Sequence, residues 1–316
     1  MQPEKVRIAS EEVRANYIKT VILLLMMAGC IIALSWLLGF MLLDEVLGLQ
    51  IGLVVALVVI PFELLCAKFA VLQLTGCVRA RPEDPQQRRI IQLVEGLSIA
   101  AGLIKTPKVY IMRSNVPNAF AAGWGPNSAV VAVTQGLADM MDDQELEGVI
   151  AHEIAHIVHR DVMVCQVAAA AQTAMMILAQ IIKCVGYLVM WFASARDEDD
   201  ERGGSLGSLG AVLVGLLLYL FIEPLTWLIS TLMVMAISRK REYAADAFAV
   251  RLCAYNEGLA RALEKLSDDC PRYNSKVAHD MGGNTVGPMY FYFPVKSLFS
   301  THPDTAERIR RLRNMY

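Results

Sequence analysis

The chain has 316 residues, 55% of them hydrophobic and 19% charged, with a formal net charge of −2. That is too apolar for an ordinary soluble domain, and the near-neutral balance gives no electrostatic case for nucleic acid. None of the seven cysteines forms a Cys-x-x-Cys pair. Cys30, Cys66, Cys165 and Cys184 lie in apolar runs, so packed, reduced thiols are expected rather than a disulfide framework.

Residues 1–17 form a polar amino-terminal segment, followed by apolar stretches at 18–43 and 46–69. Each exceeds the roughly 20 residues needed to cross a bilayer. Asp44 and Glu45 occupy the turn, so residues 18–69 read as a transmembrane hairpin, an anchor rather than a cleaved signal. Residues 70–161 read as a soluble piece: a helix at 85–104, short strands at 108–112, 118–123 and 129–134, then a further helix. Asp142 and Glu145 stand in the arrangement that caps a helix start. Leu146, Val149, Ile150, Ile154 and Ile157 follow at helical spacing. Residues 162–237 form a second hairpin with spans at 162–191 and 210–237, joined by an acidic, glycine-rich loop at 194–209. Residues 238–316 form a second soluble piece, with helices expected at 238–254, 257–267 and 303–314. The stretch 271–300, rich in glycine and aromatics, shows no assignable element. Basic residues cluster at one side of the spans, at Lys5, Arg7 and Arg14, then Arg79, Arg81, Arg88 and Arg89, then Arg239, Lys240 and Arg241, whereas the two hairpin turns are predominantly acidic. By the positive-inside rule both termini and both soluble pieces face the cytoplasm. The expectation is a multi-pass cell-membrane protein with four transmembrane helices and a mainly helical α+β cytoplasmic domain assembled from two halves.

Residues 152–156 read His-Glu-Ile-Ala-His. On a helix, positions i and i+4 share a face, so His152 and His156 can present two imidazoles to one divalent ion. Glu153 is rotated only part-way round and can take a proton from an attacking water. The zinc helix runs almost directly into the third span, which places the site near the membrane. A catalytic zinc usually has three protein ligands. His159 lies on the same face, but three ligands from one straight helix cannot readily surround an ion, and a surface or supporting role suits it better. Glu242 and Asp246, four residues apart, could supply a ligand and a partner for a histidine N–H. Taken alone, they better suit a solvated acidic face paired with Arg239 or Lys240.

His152-Glu-Ile-Ala-His156, followed after a membrane hairpin by Ser238-Arg-Lys-Arg-Glu-Tyr-Ala-Ala-Asp246, resembles the HtpX family of membrane zinc metalloproteases, within the gluzincins. Asn118-Ala-Phe-Ala-Ala-Gly123 resembles the segment before that family's zinc helix. Leu298-Phe-Ser-Thr-His-Pro303, with Arg308 and Ile309, resembles its carboxy-terminal motif. The alternation of two spans and half a protease also matches, over about residues 16–316. The resemblance implies a zincin-type protease domain holding one zinc per chain on His152, His156 and Glu242. It implies Glu153 as general base, Asp246 behind a ligating histidine, and a role in membrane-protein quality control. His302 and Arg308 are, by resemblance, candidates for stabilising the transition state.

The expected activity is endoproteolysis of unfolded or misfolded proteins, membrane proteins among them, on the cytoplasmic side of the bilayer. Asn118, Ala119, Phe120, Ala121 and Ala122 are the candidate strand for pairing an extended peptide through main-chain hydrogen bonds. Glu63, Lys183 and Glu223 interrupt the spans, where charges are costly, and Lys183 is expected to pair with Glu223. Rival readings are a site-2-type intramembrane protease, a prenyl-protein-type peptidase, and a catalytically silent membrane-bound binder or chaperone of misfolded proteins with a zinc site. Acidic residues before the motif disfavour the first, and too few spans the second. For the silent binder, a closed structural zinc site would need four protein ligands. Oligomeric state is not legible.

Overall fold

The computed structural model describes residues 3–42, 44–196, 205–235, 240–269 and 303–315. His302, the stretch 271–300 and much of the acidic loop lie outside these residues. The chain is mainly helical and divides into two compact units, one formed by residues 22–65 and 170–233 and the other by the remaining segments.

The apolar unit contains stretches of α1 (Pro3–Leu42), α2 (Glu45–Leu74), α6 (Asp161–Arg196) and α7 (Ser205–Met235). Among the described residues, three helical segments are long and apolar enough to cross a membrane: Val13–Phe40, Glu45–Leu74 and Asp161–Trp191. The fourth expected span falls in α7, which is helical throughout but contributes only the shorter apolar run Gly215–Ile229. Asp44 turns the first hairpin by accepting hydrogen bonds from the main chain of Val46 and Leu47 at 2.8 and 3.0 Å. Past the turn, Gly39 and Gly48 touch backbone to backbone. A Cβ on Gly39 would sit 2.5 Å from the Gly48 Cα, so any larger residue there would force the helices apart. Lys183 Nζ donates to Glu223 at 2.6 Å, which offsets part of the cost of carrying either charge on an apolar helix.

The other unit holds a four-stranded sheet covered by helices. β1 (Cys77–Arg79), β2 (Lys108–Met112), β3 (Ala119–Ala122) and β4 (Val130–Thr134) lie in the order β1-β2-β4-β3. β2 and β4 are parallel and the outer pairings are antiparallel. The order leaves β3 at an edge. α3 (Pro85–Ala100) is capped by Asp84, whose side chain accepts from the main-chain N–H groups of Gln86 and Gln87. The helix expected to run to residue 104 stops sooner because Gly102 adopts a left-handed φ of 74°, a conformation glycine takes at little cost. The short α4 (Gln135–Met140) leads into α5 (Asp143–Val158).

α5 organises this unit. Asp142 and Glu145 form a complete capping box, with both hydrogen bonds at 2.9 Å. Leu146, Val149, Ile150, Ile154 and Ile157 are all fully buried, each contributing about 1.5–3 kcal/mol of burial. α8 (Lys240–Cys253), α9 (Glu257–Asp269) and α10 (Thr305–Arg313) complete the unit. α9 comes so close to α5 that a Cβ on Gly148 would lie 2.8 Å from the main-chain nitrogen of Leu259. α8 also packs on α5, which unites residues far apart in sequence.

Candidate metal centre

α5 carries His152, Glu153 and His156 along one stretch of buried helix, and α8 brings Glu242 and Asp246 against it. The Nε2 atoms of His152 and His156 lie 3.1 Å apart. Glu242 faces both, with a carboxylate oxygen 3.6 Å from each Nε2. One donor atom from each of His152, His156 and Glu242 lies within 4.8 Å of the others. In a tetrahedral site with metal–nitrogen distances of about 2.0–2.1 Å, donor atoms stand about 3.3 Å apart. Two ring nitrogens and one carboxylate gathered within this distance therefore fit a bound divalent metal.

Each imidazole is held from behind. His152 Nδ1 lies 2.9 Å from Asp246 Oδ1. Arg308, buried on α10, grips Asp246 with both ends of its guanidinium, donating from Nε at 2.9 Å and from Nη2 at 2.7 Å. Its Nη1 lies 3.7 Å from Glu242. Burial disfavours the charged imidazole of His152, but Asp246 and Glu242 outweigh it and push its pKa up to about 9. Burial likewise opposes the charge on Asp246, yet Arg308 and then His152 hold its carboxyl below the usual range. His156 Nδ1 lies 2.8 Å from Asp161 Oδ2. Asp161, the first residue of α6, is a partner that the sequence pattern did not supply. Its only signal there is an acidic residue just before a long apolar run.

Glu153 differs from its neighbours. Both its oxygens are buried with no hydrogen-bond partner among the described residues, and the Ala121 main-chain N–H favours its charge only weakly. Burial raises its pKa, against the opposing pull of His156 and His152. A buried carboxyl with a raised pKa and unused lone pairs beside a metal-binding cluster has the properties of a proton acceptor.

β3 packs against α5, with Ala119 to Ala122 all buried. Thr134 N donates to Asn118 O at 2.9 Å. Antiparallel pairing alternates, so the main-chain groups of Ala119 and Ala121 point away from β4, toward the strand's other edge. Gly123 then donates to Gln166 Oε1 at 2.8 Å, ending the strand.

His159 is not a surface residue and does not join the three donors. It is the C-cap of α5, buried edge-on against Phe248 with ring centroids 5.2 Å apart. Burial lowers its pKa to about 4. Arg308 faces Asp246 and Glu242, and His302 lies outside the described residues.

The family model for peptidase family M48 matches residues 84–316. Among curated relatives, the "Protease HtpX homolog" of Dictyoglomus thermophilum is 44% identical over 230 residues, 72% of this chain and 69% of that protein. The protein of the same description in Dictyoglomus turgidum is 40% identical over 275 residues, 84% of this chain and 83% of its own. That of Streptococcus uberis is 36% identical over 315 residues, 96% of this chain and 99% of its own.

Proposed function

The chain belongs to peptidase family M48 and is a membrane metalloprotease; from that premise we propose that it is a zinc endopeptidase cleaving unfolded and membrane proteins at the cytoplasmic face. The observation that carries this reading is the buried cluster of His152, His156 and Glu242 with the unbonded carboxylate of Glu153 on the same helix. His152, His156 and Glu242 would hold the ion, and two imidazoles with one carboxylate favour zinc. Bound there, zinc supplies Lewis acidity for the hydrolysis. The chain's own residues do the rest. Glu153 accepts a proton from the water that attacks the peptide carbonyl and returns it to the leaving amine. Asp246 and Asp161 hold the two imidazoles in one tautomer and orientation.

We assign Arg308 to holding Asp246, because its guanidinium is already committed to that carboxylate. His302 is then the remaining candidate for stabilising the oxyanion. β3 would receive the substrate: its outward-facing main chain at Ala119 and Ala121 suits an added strand, and alanine side chains permit close approach. Packing supports a four-crossing topology in this reading. α8 lies against α5 in one unit, which supports a return through α7 as the fourth crossing for a chain that leaves through α6. The basic flanks put that shared side in the cytoplasm. In domain terms, residues 70–161 and 238–316 are the halves of one protease, and hairpins 18–69 and 162–237 anchor it.

The test is cleavage of an unfolded protein by the full chain in detergent, with zinc removed by a chelator and then restored. Cleavage lost and regained supports the reading. Binding of the unfolded protein without cleavage would favour a silent chaperone.

A further inference from the structure

We propose that Asn16, on the first membrane helix, is a positioning residue of the metal centre that acts on His156 through Asp161. The proposal rests on the reading of His156 as a metal ligand.

Asp161 reaches His156 with one carboxylate oxygen, at 2.8 Å. A carboxylate held at one oxygen can still swing about its own bond. Asn16 holds the other: its Nδ2 donates to Asp161 Oδ1 at 2.7 Å. The same nitrogen donates to the main-chain oxygen of His159 at 3.0 Å. An amide has two N–H donors, and here one fixes the carboxylate while the other fixes the turn that carries it. That turn is unusual. Arg160 adopts a left-handed φ of 61°, a conformation that non-glycine residues take only when their surroundings hold them there. It reverses the chain between α5 and α6 and so returns Asp161 to a histidine only five positions earlier. α1 clasps the turn twice, through Asn16 and through Tyr17, whose hydroxyl meets the Arg160 guanidinium and whose ring lies 4.8 Å beneath it. Asn16 and Asp161 are both buried.

The other histidine is arranged the same way. His152 leans on Asp246, and Arg308 holds Asp246 by both oxygens. Asn16 is to Asp161 what Arg308 is to Asp246. The difference is that Asn16 lies outside residues 84–316, which match the protease family model. The first membrane helix is therefore part of the metal centre as well as an anchor.

The test is a zinc competition between a chelator and the full-length protein in detergent. Asp161→Ala should weaken zinc binding by about 10–100-fold, and Asn16→Leu by about tenfold, since it acts one bond further out. In the Asp161→Ala background, Asn16→Leu should add nothing, because its route to the metal is already gone. Thr20→Val removes the hydrogen bond that Thr20 gives the Asn16 carbonyl at 2.8 Å and should leave zinc affinity unchanged. The metal-stripped variants should melt close to the wild type. Wild-type affinity in Asn16→Leu would overturn the proposal, as would losses that simply add in the double variant. So would an affinity loss matched by an equal fall in metal-free stability, which would mark Asn16 as a packing residue. In each of those cases Asp161→Ala and His156→Ala would still lose zinc. If neither of them does, the ligand reading fails as well.

Discussion

Glutamine at position 153 should abolish turnover and, in the metal-stripped protein, stabilise the fold. The substitution keeps the shape of the side chain and removes its charge. Glu153 is buried with no hydrogen-bond partner for either oxygen among the described residues. A buried polar group left unpaired costs about 1–3 kcal/mol, and more when charged, whereas a neutral amide in the same place costs less. The pH dependence follows from the raised pKa of Glu153, caused chiefly by burial. A carboxyl whose pKa rises on folding binds a proton in the folded state that the unfolded state has already lost. Stability therefore falls as pH climbs from the unfolded value of about 4.3, and the full penalty is present above the folded pKa. Glutamine has no such dependence. Treated with chelator, Glu153→Gln should melt above the wild type at pH 8, by roughly 2–4 °C for each kcal/mol recovered. The gap should close near pH 4. Restoring zinc should narrow it at pH 8, since a dication at His152, His156 and Glu242 offsets the same negative charge. Peptide cleavage should fall by about 10²–10⁴-fold with zinc content retained. Melting below the wild type at pH 8 would refute the burial argument, and near-normal cleavage would remove Glu153 from the chemistry.

Glu242→Ala should lose zinc by metal analysis, while His159→Ala should keep it. Asp246→Ala should weaken zinc affinity by about 10–100-fold; it also removes the carboxylate that the buried Arg308 grips, so denaturation should show a loss of stability. Proline at 121 removes a main-chain N–H that points away from β4, so Ala121→Pro should stop cleavage of every protein substrate while zinc content and melting stay near normal. Ala121→Ser should be mild, and a folded, zinc-loaded Ala121→Pro enzyme with normal activity would move the substrate cleft elsewhere. For topology, an impermeant thiol reagent applied outside intact cells should label a cysteine placed at Ser205, in a cysteine-free background, and not one at Ser275; labelling at Ser275 would reverse the assigned orientation.

What could be read from the sequence is what lies within a helical turn or two. The capping box of Asp142 and Glu145, the buried stripe from Leu146 to Ile157 and the shared face of His152 and His156 all depend on spacing along one helix, and spacing is what a sequence displays. Asp246, one turn past Glu242, was legible through the family resemblance, since its spacing alone also suits a solvated acidic face. β1 was not, because three residues from Cys77 to Arg79 are too few to show an alternation. The grip of Arg308 on Asp246 was not legible either, because a buried guanidinium goes to whichever carboxylate the packing brings it. The Asp161–His156 contact was hidden for a sharper reason. It needs a reversal at Arg160, in a conformation that arginine does not favour and that no local pattern announces. That reversal is held by Asn16, 143 positions away from His159. The two histidines thus draw their orientation from opposite ends of the chain, one through Asp246 and Arg308 and the other through Asp161 and Asn16. Each arm closes only when distant helices pack, so the sequence pointed to Asp246 behind one histidine, while Asp161 behind the other and the residues that hold both carboxylates came from tertiary structure.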